Sequence, residues 1–226
     1  MTGPAVKGLK QDLEAAGFFC LGGFEPDAGH DVPPLPSGRP VHSLLLIGST
    51  GPTIWPRLTQ SPEYTDRRPD PLDRYTRRVL TGLADAHGFQ PLFPFDGPPY
   101  YPFQQWAMKC GGFSQSPLGV LAHRDFGPWA GFRAVFLSAA RVSGGSSGTG
   151  PCEDCADKPC LTACPVDAIS LKDGYRVAEC RTHLASGAGL ECRSGCLARR
   201  ACPVGAEHSQ HADTARFHMD SFMGLC

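Results

Sequence analysis

Eight of the eleven cysteines in this chain stand between Cys152 and Cys202. They form two runs that each end in Cys-Pro: Cys152-x2-Cys155-x4-Cys160-x3-Cys164-Pro165 and Cys180-x11-Cys192-x3-Cys196-x5-Cys202-Pro203. A segment so rich in thiols takes much of its order from what those thiols bind, and without metal it is expected to stay unfolded. The set suffices for two four-iron clusters. A cubane takes one thiolate per iron, and a short Cys-x2-Cys spacing on a turning backbone aims neighbouring sulfurs at adjacent corners of one cube. Two other readings compete. Disulfides belong mainly to oxidising compartments, and the opening MTGPAVKGLKQDLEAAG has no basic stretch followed by an apolar core of the kind that directs secretion. Zinc is the stronger rival, since paired cysteines also make tetrahedral structural sites. Neither the two Cys-Pro endings nor the step from Cys160 to Cys164 is something a zinc ribbon requires. The second run, with intervals of eleven, three and five, is stretched; a three-iron or differently ligated centre stays open there. Cys20 and Cys110 read as buried small hydrophobes and Cys226 as a loose terminal thiol.

In two-cluster ferredoxins the cysteine before proline ligates the cluster of the other run. Proline fixes its own backbone angle and pushes the preceding residue toward an extended conformation, which suits a cysteine leaving one loop to reach across. On that pattern Cys152, Cys155, Cys160 and Cys202 hold one [4Fe–4S] cluster, and Cys180, Cys192, Cys196 and Cys164 hold the second.

The rest of the composition narrows the function classes. A chain of 226 residues is long enough for one large domain plus a small one. Its most apolar run, Leu44 to Ile47, is far below the roughly 20 residues that cross a bilayer, so no membrane role and a cytoplasmic location are expected. The formal net charge is −1 with basic residues dispersed among acidic ones, which leaves no electrostatic footprint for nucleic acid. The doublets Arg67-Arg68, Arg77-Arg78 and Arg199-Arg200 read as solvated helix faces.

Periodicity predicts an amphipathic helix over 5–17 with Val6, Leu9, Leu13 and Ala16 on one face, a short strand over 18–23, and a buried central strand at Ser43–Gly48. Ser49-Thr50-Gly51-Pro52 opens a helix carrying Ile54, Trp55 and Leu58. The clearest helix is 71–87, with Leu72, Tyr75, Val79, Leu83 and Ala86 as its apolar stripe, Pro71 at its start and Gly88 at its stop. Strands are predicted over 89–95, 118–123 and 132–139, a short helix over 102–109, and a capping helix over 214–223. The Gly/Ser-rich stretch 144–150 has the composition of a linker. It divides the chain into an α+β domain at 1–143 and a cluster domain at 151–226. His208 and His211 are spaced for one helix turn, and with His218 they read as surface residues.

The segment Cys110-Gly111-Gly112-Phe113, and Leu121-Ala122-His123-Arg124-Asp125-Phe126-Gly127-Pro128-Trp129-Ala130-Gly131-Phe132-Arg133 after it, resembles the core of cobalamin-processing proteins of the cblC type. It is also similar to the matching stretch of epoxyqueuosine reductases. The Leu45–Ile47 strand and Asp70-Pro71-Leu72-Asp73 follow the cblC order. The cysteine-rich third resembles the cluster domain of epoxyqueuosine reductases and reductive dehalogenases, while Lys158-Pro159-Cys160 is closer to iron–sulfur subunits that serve molybdenum enzymes. The resemblance implies a nitroreductase-like, cblC-like α+β domain with a mixed sheet, joined to a small ferredoxin-like two-cluster domain. It further implies an oxidoreductase that passes electrons through two [4Fe–4S] clusters to a corrinoid (cobalamin), with FMN as the alternative cofactor of that fold and a redox partner protein as donor. A plain ferredoxin-type carrier, with no corrinoid bound, is the rival function.

The resemblance also has a gap. The Ala-Pro-Val-Leu-Glu segment of epoxyqueuosine reductases corresponds best to Tyr101-Pro102-Phe103-Gln104-Gln105, which puts Pro99 where those enzymes carry their acid, so epoxide reduction on transfer RNA is not expected. No catalytic residue is assigned. The implied cofactor contacts are Arg133, placed where cblC-type proteins use an arginine near a thiol cosubstrate, together with His123, Tyr100, Tyr101 and Gln104. Each has an ordinary reading beside it: an ion pair for Arg133, a hydrogen-bonded core histidine for His123, and core packing around a proline-rich loop for the aromatic residues.

Overall fold

The computed structural model describes residues 4–142 and 148–225. In chain order its helices are α1 (Pro4–Ala15), α2 (Gly51–Leu58), α3 (Pro62–Thr65), α4 (Pro71–His87), α5 (Phe103–Cys110), α6 (Pro159–Thr162), α7 (Val177–Ala185), α8 (Leu190–Arg193), α9 (Leu197–Arg200) and α10 (Ala212–Met223). Its strands are β1 (Phe19–Phe24), β2 (Ser43–Ser49), β3 (Gln90–Leu92), β4 (Phe113–Gln115), β5 (Leu121–His123), β6 (Gly131–Ser138), β7 (Ile169–Ser170) and β8 (Gly174–Tyr175). These gather into two compact units. One holds 1–49, 53–112 and 131–148, and the other holds 50–52, 113–130 and 149–226.

The first unit is built on a four-stranded antiparallel sheet in the order β1-β2-β6-β3. Every residue of β2 is buried, as are Ala134 to Ser138 of β6. A strand covered on both faces needs no alternation of polar and apolar residues, which is why Leu44–Ile47 reads as an unbroken apolar run. Helix α1 packs Leu9 and Leu13 against β1 and α4, α4 lies against β3 and β6, and α5 lies against β1 and β2. Ala134 pairs with Ile47 while Phe132 pairs with Gly48, so Arg133 is the extra residue of a bulge in β6. A bulge re-aims the side chain it carries.

Several expectations shift. The buried stripe of α4 is Leu72, Tyr75, Thr76, Leu80 and Ala84. Val79 and Leu83 are half-buried and Ala86 is exposed, because past its first turn the helix meets its neighbours along a row that advances in fours. The strand expected over 89–95 shrinks to three residues. Pro91 and Pro94 cannot donate to a ladder, and the Asp96 carboxylate accepts from the Phe93 amide to turn the chain away. Leu118 leaves β5 for a turn in which the Gly119 amide donates to the Ser116 carbonyl, and β4 is a strand that periodicity did not signal. The sheets among the described residues are antiparallel throughout. Residues 144–147 of the expected linker, and Cys226, lie outside the described residues. The structural division is also not one cut at that linker, since 113–130 packs with the cysteine-rich segment.

Candidate metal centres

The second unit places 113–130 and the two cysteine runs together. Ser114 of β4 accepts the amide of Cys152 on its hydroxyl at 3.0 Å, fixing where the first run begins. The turn after β5 is closed by a pair of backbone hydrogen bonds between His123 and Gly127. Gly127 has φ +53° and Gly205 φ +70°, a region that side chains with a Cβ rarely adopt. A Cβ on Gly127 would stand 2.0 Å from the Val204 carbonyl oxygen, and one on Gly205 would stand 2.4 Å from the Phe126 carbonyl carbon. These two glycines let the Phe126–Gly127 turn lie directly on the backbone that follows Cys202.

Two cavities open in this unit. One, of about 330 Å³, is lined by Cys152, Cys155, Cys160 and Cys202 together with Leu118, Asp154 and Lys158. The other, of about 310 Å³, is lined by Cys164, Cys180, Cys192 and Cys196 together with Leu118, Tyr175, His183, Arg199 and His218. Each cavity thus draws three cysteines from one run and one from the other, the odd member being the cysteine before proline. Among the described residues Leu118 is the one that lines both. It packs with Cys160, Ile169 and Ala198 in a small apolar core.

The electrostatics suit a cationic guest. Burial pushes the thiols of Cys160, Cys192, Cys196 and Cys202 above their ordinary range, and the neighbouring sulfurs around each cavity push the same way. Four thiolates facing one another across an apolar hole repel unless a positive core sits among them. Among the described residues no three His, Cys, Asp or Glu side chains form a group that could hold a single metal ion. Four cysteines line each cavity.

The walls add donors that the sequence did not signal. Lys158 turns with φ +38° and its ammonium donates to the Cys152 and Cys155 carbonyls at 3.0 and 2.6 Å, bracing the first loop. The Ala168 amide donates to Cys164 Sγ at 3.3 Å. Tyr175 lines the second cavity with Cys180, and burial, with this sulfur beside it, pushes its phenol up. The Arg199 guanidinium donates twice to the Pro128 carbonyl, at 3.0 and 2.6 Å, and lies 4.8 Å over the Trp129 ring. Nε2 of His183 is buried without a hydrogen-bond partner among the described residues. His218, expected at the surface, lines the second cavity, and His211 precedes α10 while His208 packs on Phe126 at 4.8 Å, so those two do not share a helix turn.

The five expected cofactor contacts are divided between the two units. His123 belongs to the second unit, 3% exposed, with its Nδ1 accepting the Asp125 amide and its ring edge-on to Phe113. The other four belong to the first unit. Tyr101 stacks on Trp106, whose indole N–H donates to the His30 carbonyl at 2.7 Å, while Tyr100 and Gln104 are exposed. Arg133 Nε donates to the Ser49 hydroxyl at 2.8 Å, and its charge reaches Asp73, whose carboxyl burial pushes up. Cys110 is buried, its thiol pushed up to about 12 by desolvation, and Cys20 donates to the Gly22 carbonyl; both fill apolar space.

No family model matches the chain, and no curated protein matches it. Several chains of solved structures share its fold, among them the following two. One is an epoxyqueuosine reductase solved with an epoxyqueuosine-modified tRNA-Tyr stem loop, at TM-score 0.50 and 15% identity, covering 94% of this chain and 67% of that one. The other is the B12-trafficking protein CblC of C. elegans, a homologue of human MMACHC, at TM-score 0.50 and 12% identity, covering 95% of this chain and 91% of that one. The fold that this chain adopts is therefore the one found in epoxyqueuosine reductase and in CblC, the two groups that its sequence resembles.

Proposed function

We propose that this chain is an iron–sulfur redox protein whose second unit holds two [4Fe–4S] clusters, and that the clusters deliver electrons to an acceptor served by the first unit. One observation carries the reading: each of two cavities is ringed by four cysteines, three from one run and one from the other. Cys152, Cys155, Cys160 and Cys202 would hold one cluster, and Cys164, Cys180, Cys192 and Cys196 the other. Bound there, the clusters supply one-electron steps at low potential. The protein's share is to supply the sulfurs, exclude water with Leu118 and Ile169, and set the potential through nearby donors.

The likeness of fold to a B12-trafficking protein makes a corrinoid the acceptor class to test, with a flavin as the alternative. The first experiment is iron and sulfide analysis with paramagnetic resonance on protein purified without oxygen; about eight irons per chain are expected. Colourless protein, or protein holding only zinc, overturns the reading. The second is titration of that protein with cobalamin, expected to shift the corrin absorbance. No shift, with both clusters intact, removes the corrinoid and leaves an electron carrier for a partner enzyme.

A further inference from the structure

The two cavities present equal numbers of cysteines but unequal surroundings. In the second, the Ala168 amide donates to Cys164 Sγ at 3.3 Å, and the Tyr175 phenol and the Arg199 guanidinium stand in the wall. Charge follows the same division. The wall of the second cavity carries Arg199 and no carboxylate. The wall of the first carries Lys158 together with Asp154 of opposite sign, which offsets its charge, while both Lys158 and Arg199 donate to backbone carbonyls. Arginine keeps its proton at any pH a protein survives, so the charge of Arg199 is permanent even where it is desolvated.

An iron–sulfur core becomes more negative on reduction, and N–H or O–H donors to its sulfurs, together with a fixed positive charge, favour that form. Resting on the two-cluster reading above, we infer that Tyr175, Arg199 and the Ala168 amide give a cluster in the second cavity the higher reduction potential, so that the first electron added to the pair rests there. The step moves one electron and no proton. The oxidised centre gains the electron and a one-electron reductant, such as a reduced viologen dye, loses it.

The test is a redox titration of the anaerobic holoprotein followed by paramagnetic resonance, with iron counted in every sample. Two one-electron waves are expected. Arg199→Gln should lower the higher wave so that the reduced-to-oxidised ratio at a fixed poise falls about tenfold, a shift of about 59 mV for one electron. Tyr175→Phe should move the same wave in the same direction by less, while Asp154→Asn should raise only the lower wave. Should Arg199→Gln fail to fold, Arg199→Lys and Tyr175→Phe decide the matter: the first should keep most of the higher potential and the second should lower it. A higher wave that stays in place in Tyr175→Phe, or a lower wave that moves in Arg199→Gln, overturns the inference while leaving the clusters standing. Iron-free protein overturns the cluster reading itself.

Discussion

Glu63 shows how a single side chain ties helices together. Its carboxylate accepts from Nε and Nη2 of Arg78, the second at 3.0 Å, and the Arg78 hydrogen bond holds its pKa down to about 2. A carboxyl depressed in the folded state stabilises above its unfolded pKa of about 4.3, and that contribution is lost as pH falls through the folded value. Glu63→Gln should therefore unfold at lower urea than wild type at pH 7, with the gap narrowing steadily below pH 5; a gap that does not depend on pH rules out the ion pair as its cause. Among the cysteines the expectation is a stoichiometry. Cys155→Ser and Cys196→Ser should each lose about four irons per chain, measured by iron assay, because each removes one corner of one cubane. The eight thiols were legible because ligand spacing is local in sequence. Tyr175, His183, Arg199 and Leu118 were not, since what marks them is the cavity they face and not a motif they belong to.

Helix α4 illustrates what periodicity fixes and what it leaves loose. Its ends were readable from Pro71 and Gly88, but past the first turn its apolar stripe lies one residue further on, because spacings of three and four both fit the sequence and only packing chooses between them. Leu80→Ala should cost ~2–5 kcal/mol in chemical unfolding, while Ala86→Ser should cost almost nothing; equal losses would restore the stripe through Ala86. The strand cut short at Leu92 and the unforeseen β4 have a common cause. Three-residue strands are too short to show alternation, and prolines decide where they stop. The turn after β5 gives a further prediction. Gly127→Ala would force a methyl into the Val204 carbonyl; it should lower cluster content at the first cavity, seen as partial iron loss, while leaving the first unit's core and its helical circular dichroism largely in place. Normal iron loading in that variant argues against the close approach.

Across the whole chain, the strongly apolar sheet of the first unit and the thiol-lined cavities of the second rest on different sources of order. The first unit buries Leu44 to Ile47 and Val135 to Leu137 in a conventional core. The second sets α7 and α10 beside four-residue helices and strands of two or three residues, with few large buried side chains, so its stability should be coupled to ligation. Removing iron with a chelator under reducing conditions should open 150–210 to limited proteolysis while peptides from β2 and β6 stay protected. Protection of both segments after iron loss would detach folding from metal. The division between these regimes was only partly legible, since a Gly/Ser-rich stretch advertises a boundary while the membership of 113–130 is decided by contacts distant in sequence. Leu118, the shared wall of both cavities, sits within that early segment, and so do Ser114, which anchors Cys152, and the glycine turn beneath Val204. A transplanted gene fragment beginning at the linker would carry every sulfur yet lack the partition between the two holes. In shuffling parts among enzymes, this cassette travels only if its upstream hairpin goes with it.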